Sequence, residues 1–341
     1  MAEGKLTIRQ IAKLAGVSRS TVSRVINDHP NVSPETREQV SLIVAQTGFH
    51  PDPIARSLSS RRAGIVGLVI PLAIQSLFED PFFPRLMQAI SQGCNTHDYI
   101  LSLFLLHTLE EETRVYPRIS RRQLLDGVIV TATRNRDPLI PQLLANRVPF
   151  VMQGRHEDPR VNFVEVDNVT GAYTAVTHLV RLGRRRVALI AGPASSVAAE
   201  DRKRGYLNAL LERRLPVDEG LIVHGDFTET SGYQAMQRLL PHEPDAVFVA
   251  SDSMALGALR TLREAERRVP EEVALVGFDD LTHAATADPP LTTIRQPIQC
   301  MGALAVEMLI DILEDRAQPA RHITLPTELV IRASCGSLLA A

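Results

Sequence analysis

From Ile65 onward, short runs of Val, Ile, Leu and Phe alternate with longer stretches whose apolar residues recur at helical spacing. That alternation marks a parallel sheet whose strands are joined by crossover helices. It predicts strands at Ile65–Ile70, Ile100–Leu105, Val128–Thr131, Pro149–Met152, Val187–Ala191, Leu221–Val223, Ala246–Ala250 and Val273–Phe278. Helices are predicted over Pro84–His97, Asn168–Leu182, Ala198–Arg213, Glu229–Leu240, Asp252–Arg267 and Gln299–Asp315. These units are too many for one doubly wound sheet. The irregular stretch Gln153–Phe163, with Gly154 and Pro159, divides them into comparable halves, so two α/β lobes facing across a cleft are expected.

Residues 1–62 break the pattern: they hold no strand-like run and are punctuated by Pro30, Pro34, Pro51 and Pro53. Thr7 and Gln10 form a capping box heading a helix with Ile8, Ile11, Ala12 and Ala15 on one face, and Gly16 ends it. Ser18 caps a second helix, Arg19–Asn27, with Val22, Val25 and Ile26 turned inward. Ser33 and Pro34 open a third, which runs to Gly48 at a carboxyl-terminal cap position. Three short helices with a glycine turn between the first two make a helix-turn-helix unit. The expected fold class is an N-terminal all-α helix-turn-helix head-piece plus an α/β core of two doubly wound parallel-sheet lobes.

The 341 residues suffice for two or three domains with a buried core. With 45% apolar and 22% charged residues the chain matches ordinary globular proteins, which excludes a fibrous or wholly disordered one. Cys94, Cys300 and Cys335 have no paired spacing, and no metal site is expected. No Walker A loop, Gly-x-Gly-x-x-Gly, Gly-x-Ser-x-Gly or His-Glu-x-x-His sequence occurs, so neither a cofactor nor an enzyme activity is expected. Without a long apolar stretch, or an apolar leader at Met1–Lys5, no membrane partner is expected and a cytoplasmic location is. Net charge is −2 but unevenly spread: residues 1–62 carry nine Lys or Arg against five Asp or Glu, the remainder 28 against 34. A basic front on an acidic body is compatible with nucleic acid binding without establishing it.

A helix that reads DNA needs small or polar side chains on its exposed first turns. In the second helix Arg19, Ser20 and Arg24 meet that need. An arginine can grip guanine through two hydrogen bonds, worth about 1–3 kcal/mol of discrimination, while Ser18, Thr21, Ser23 and Asn27 suit phosphate oxygens. Periodicity alone leaves a second reading open, a surface helix with solvated arginines. The motif as a whole goes further. Leu6-Thr7-Ile8-x-x-Ile11-Ala12-x-x-Ala15-Gly16-Val17-Ser18-x-x-Thr21-Val22-Ser23-Arg24-Val25-x-Asn27 resembles the head-piece of the lac/gal repressor (LacI/GalR) family. The likeness continues through Val32-Ser33-Pro34-Glu35-Thr36-Arg37, through Pro51-x-Pro53-x-Ala55-Arg56-x-Leu58, and along nearly the whole core.

The resemblance implies that Arg19, Ser20 and Arg24 read bases of double-stranded operator DNA, and that Ser18, Thr21, Ser23, Asn27, Asn31 and Ser33 hold its phosphates. It implies a hinge at Pro53, Ile54, Ala55 and Arg56 that folds only on the operator, paired with a dimer partner, with Leu58 wedged into the minor groove. Such a stretch falls short of the roughly 12–15 residues at which an isolated helix becomes marginal, and a plain flexible linker is the other reading. Asp52 departs from the asparagine common in the family. The expected division is a helix-turn-helix domain at 1–50, hinge and linker at 51–62 and an effector-binding and dimerisation core at 63–341. One lobe takes about 63–165 plus 297–321, the other about 166–296 plus 322–341.

Within the core the resemblance picks out Arg202, Ser251, Asp252, Asp279, Gln296 and Phe227 as effector ligands, joined by Phe82, Phe83 and Gln153. They stand at strand ends, where open α/β sheets bind ligands, and converging charged and amide groups with an aromatic cover suit a sugar or sugar derivative. Asp167, Asn168 and Asp252 also stand at helix starts, so capping is an equal reading for them. Loop Leu72–Asp80 is longer than the family pattern. Together these readings describe a repressor-type transcriptional regulator: a homodimer on near-palindromic DNA whose grip depends on a lobe orientation set by a small-molecule effector. The alternative is a two-lobed sugar-binding transport-type protein without a gene-regulatory role, resembling periplasmic sugar-binding proteins in its core but not in its basic helical front.

Overall fold

The structure is a computed structural model that describes residues 6–26, 31–49, 63–71, 80–106, 108–121, 124–131, 137–316 and 319–337. The chain divides into two compact units, residues 1–63 and 64–341. In the first, helices α1 (Ile8–Leu14), α2 (Arg19–Ile26) and α3 (Pro34–Thr47) form where the caps direct. The Thr7 N–H donates to Gln10 Oε1 at 2.7 Å, Ser18 Oγ accepts from the Thr21 N–H at 3.0 Å, and Ser33 Oγ accepts from the Thr36 N–H at 3.3 Å. Helix α3 closes on Gly48, at φ 60°, the left-handed region that glycine enters without steric cost. Ile11, Ala12, Ala15, Val22, Val25, Val40 and Phe49 fill its small core. Asn27, Pro53, Ile54, Ala55, Arg56 and Leu58 lie outside the described residues.

The second unit contains two six-stranded sheets. The first is built from β1 (Ile65–Ile70), β2 (Ile100–Leu105), β3 (Gly127–Val130), β4 (Phe150–Gln153), β5 (Asn162–Val166) and β11 (His322–Leu325). These lie in the order β11-β5-β4-β3-β1-β2 with every neighbour parallel. The second is built from β6 (Val187–Ala191), β7 (Ile222–His224), β8 (Ala246–Val249), β9 (Ala274–Asp279), β10 (Thr292–Arg295) and β12 (Glu328–Val330). Its order is β12-β10-β9-β8-β6-β7, parallel except that β12 runs against β10. Helices α4 (Phe82–Thr96), α5 (Leu109–Ile119), α6 (Leu139–Ala145) and α12 (Ile298–Leu313) belong to the first lobe. The second lobe has α7 (Asn168–Arg181), α8 (Val197–Glu212), α9 (Glu229–Leu239), α10 (Asp252–Glu264) and α11 (Thr282–Thr286).

Sheets covered on both faces need apolar residues at every position, which is why the central strands read as unbroken runs: all five residues of β6 and all four of β3 and β8 are buried. Val66, Leu68 and Ile70 of β1 pack with Met301, Ala305 and Leu309 of α12, while Val69 joins Tyr116, Leu139 and Leu143 in the core on the opposite face. In the second lobe α9 and α10 each present a glycine to the backbone of the other. A Cβ at Gly257 would stand 2.0 Å from the Glu229 carbonyl oxygen, and one at Gly232 2.1 Å from that of Met254.

Two expectations need correction. The stretch Gln153–Phe163 is not wholly irregular, since β5 begins at Asn162 and lies inside the first sheet. Residues 322–325 were expected in the second lobe, but β11 pairs with β5 in the first, His322 beside Phe163, so the chain returns there before its final passage to β12. The chain therefore passes between lobes three times: from β5 to α7, from β10 to α12 and from β11 to β12. The first and third passages are joined by the Asp167 N–H donating to the Leu325 carbonyl at 2.9 Å.

Candidate functional site

In the helical unit, Val22 and Val25 anchor α2 and leave Arg19, Ser20 and Arg24 exposed on its outer face, with Thr21 and Ser23 half-buried beside them. Ser18, Asn31 and Ser33 are also exposed. Ser18 and Ser33 serve as helix caps in addition to any contact they make with a partner.

In the core, a cavity of about 330 Å³ opens between the lobes at the strand ends. Its volume falls in the range of small-molecule sites. Arg202, Asp279, Gln296, Ser251, Phe227, Phe82, Phe83 and Gln153, predicted separately along the sequence, all line it. Asp252 does not. It is fully buried, with Oδ2 accepting from the Leu281 N–H at 2.9 Å and Oδ1 from the Thr293 hydroxyl at 2.6 Å. Its place at the start of α10 aims it at the backbone after β9 rather than at a ligand, and burial, then the neighbouring Asp279, hold its carboxyl well above the usual range.

Arg202 organises the site. Presented by α8, it is 6% exposed, its Nε donates to Asn168 Oδ1 at 2.9 Å, and its Nη1 donates to the Ala250 carbonyl. Nη1 lies 3.6 Å from Asp279 Oδ1, and the guanidinium carbon stacks 3.8 Å above the Phe278 ring. Asp279 sits at the end of β9 with φ 122°, a conformation that costs about 1–3 kcal/mol and recurs at ligand clamps. Burial pushes its carboxyl up to about 7 against the pull of Arg202, and Gln296 Nε2 donates to its Oδ1. Phe82 and Phe83 meet edge to face with centroids 5.2 Å apart, and Phe227, at φ 72°, supplies an aromatic edge from the second lobe.

The two helix-start residues after β5 divide their roles. Asp167 caps α7 by accepting from the Thr170 N–H at 2.9 Å, whereas Asn168 lines the cavity and holds Arg202. Asp280 is ion-paired with Arg295 and Arg332 at 2.7 and 2.6 Å and stands outside the cavity. Sequence reading missed Asp80, Glu165 and Asp226, which line the cavity from two loops and from strand β5. Burial raises the carboxyls of Asp80 and Glu165. Burial also acts to raise Asp226, but hydrogen bonds from Thr228 and Ser231 prevail and leave it lowered. Two arginines of the first lobe reach the second. Arg155 Nη2 donates to both oxygens of Asp201 at 2.7 and 2.9 Å, and Arg85 donates to the Asp280 carbonyl at 3.2 Å and the Thr282 hydroxyl at 2.6 Å.

Residues 7–52 match the model of bacterial regulatory proteins of the lacI family, and residues 176–335 that of a periplasmic binding protein-like domain. The HTH-type transcriptional regulator CelR of Thermobifida fusca is 41% identical over 335 residues, covering 96% of this chain and 98% of its own. The chain belongs to the lacI family of bacterial regulatory proteins. Two solved structures of relatives match nearly end to end. A CelR–cellobiose complex aligns at TM-score 0.77 and 38% identity over 96% of this chain and 99% of that one. A lac repressor dimer bound to operator and the anti-inducer ONPF aligns at TM-score 0.83 and 29% identity over 97% and 99%. As a lacI-family member the protein is a DNA-binding transcriptional regulator with a helix-turn-helix head and a ligand-holding core of two parallel-sheet lobes.

Proposed function

We propose that the protein is a repressor that binds a near-palindromic operator as a homodimer in the cytoplasm and answers to a sugar held between its core lobes. The observation that carries this is the cavity: Asp279, Gln296, Asn168 and Arg202 offer directional donors and acceptors, and Phe82, Phe83 and Phe227 offer apolar faces. A sugar ring needs both, hydrogen bonds for its hydroxyls and a ring edge for its C–H faces. The CelR relative solved with cellobiose makes that disaccharide the first effector to try. Two-fold symmetry of a dimer calls for half-sites about one helical turn apart. Sugar binding selects one lobe orientation, and only the difference in affinity between orientations can move the DNA equilibrium.

A gel-shift titration with the chain's own upstream DNA, with and without sugars, tests the reading. Arg24→Ala should weaken operator binding by about 1–3 kcal/mol, and Asp279→Ala should keep DNA binding while losing the sugar response. Operator binding indifferent to every sugar, or undiminished by Arg24→Ala, refutes the corresponding half of the proposal. A transport-type binding protein would bind the sugar and show no preferred DNA site.

A further inference from the structure

The charge balance of the cavity says more than its shape. Among the described residues that line it are four carboxyl groups, Asp80, Glu165, Asp226 and Asp279, against two guanidinium groups, Arg155 and Arg202, with no lysine and no histidine. Both cations are already committed to protein acceptors. Arg155 is held by Asp201 through two contacts and lies 3.9 Å from Glu165, and Arg202 is held by Asn168, Ala250 and Asp279. Asp201 is shared further with Arg204 at 2.9 Å. The amino ends of α8, α9 and α10 also face this region, and helix amino ends attract anions. Here those ends are already matched by the protein's own groups. Ser196 caps α8, Asp226 Oδ1 accepts from the Thr228 N–H at 3.0 Å at the head of α9, and Ser251 caps α10, whose first residue is Asp252.

We infer that the cavity accepts an uncharged sugar and rejects the phosphorylated form of the same sugar, an inference that rests on the effector reading above. Uncharged hydroxyls find acceptors in the carboxylates and donors in Gln296 and Asn168. A phosphate would be brought beside carboxylates, with no uncommitted cation among the described lining residues to receive it, and like charges set against each other discriminate against a wrong ligand. Among the described lining residues, it would be received by proton uptake on those acids or by displacing Arg155 or Arg202 from its carboxylate.

The test is calorimetric titration of the full chain with matched pairs: glucose and glucose 6-phosphate, cellobiose and cellobiose 6-phosphate, and adenosine and its 5′-monophosphate. The expected result is that the uncharged member of a sugar pair binds, and its phosphorylated partner binds at least about tenfold more weakly. A phosphorylated member that binds as tightly as its partner, or more tightly, overturns the inference. A response confined to the nucleoside pair sinks the sugar reading, while the ranking within that pair still decides the charge rule. The double variant Asp80→Asn, Glu165→Gln supplies an independent arm. Whatever that variant's affinity for the uncharged member, the ratio between the two members, read within the variant, should narrow to within about threefold, and an unchanged ratio shows that these acids are not the source of the selection.

Discussion

Replacing Arg202 with methionine keeps much of the stem volume and removes the charge at the centre of the site. The side chains of Arg202 and Asp279 are 7% and 4% exposed and 3.6 Å apart, so the pair is buried. Removing one partner of a buried pair costs about 3–5 kcal/mol, most of it from the charge left behind. The lost bonds to Asn168 and Ala250 belong to the same network and do not add independently. The size of the loss depends on pH, and its sign follows from Asp279. Burial pushes that carboxyl from its usual 3.8 up to about 7, so its contribution to stability is complete below the usual value and is lost as pH climbs through about 7. Without Arg202 the folded-state value rises further, which widens the gap at high pH. Arg202→Met should therefore cost about 3–5 kcal/mol at pH 8 and much less at pH 5, where the stranded carboxyls are protonated. Urea unfolding followed by circular dichroism at both pH values reads this directly. An equal deficit at pH 5 and pH 8 would show that uncompensated carboxylates are not the reason Arg202 is needed.

Three further outcomes are expected. Gly257→Ala should destabilise the second lobe by about 1–3 kcal/mol, because its methyl group would meet the Glu229 carbonyl; an unchanged urea midpoint would mean that α9 and α10 separate at no cost. Arg155→Ala should change stability by less than about 1 kcal/mol, since that side chain is 40% exposed, yet speed effector release in stopped-flow measurements; an unaltered off-rate would remove the Arg155–Asp201 bridge from lobe closure. Thr293→Val removes the hydroxyl that donates to buried Asp252 and should cost about 1–3 kcal/mol, measured by urea unfolding, whereas a neutral result would show that Asp252 finds another donor.

Strands sheathed on both faces announced themselves as unbroken apolar runs, and serine, threonine and glycine caps marked the three helices of the first unit, so these elements were legible. Strands β5 and β11 were not. Asn162-Phe163-Val164-Glu165-Val166 carries polar residues inside the run, and β11, at the sheet edge, alternates exposed and half-buried positions over four residues. Arg202, Asp279 and Gln296 were found through the resemblance. Asp252 was misplaced because an acid at a helix start looks the same in sequence whether it meets a ligand or a backbone N–H. Asp80, Glu165 and Asp226 carry no local signal at all, since they meet only once two loops and strand β5 converge on the cavity.

The three chain passages between the lobes have a mechanical consequence. A plate fastened to another by one thread can twist, slide and tilt, but these are fastened by three, two of them stitched together at Asp167 and Leu325, which leaves less freedom for one to move against the other. A molecule that bridges the cleft therefore has to fit between two plates already fastened to each other at these three passages.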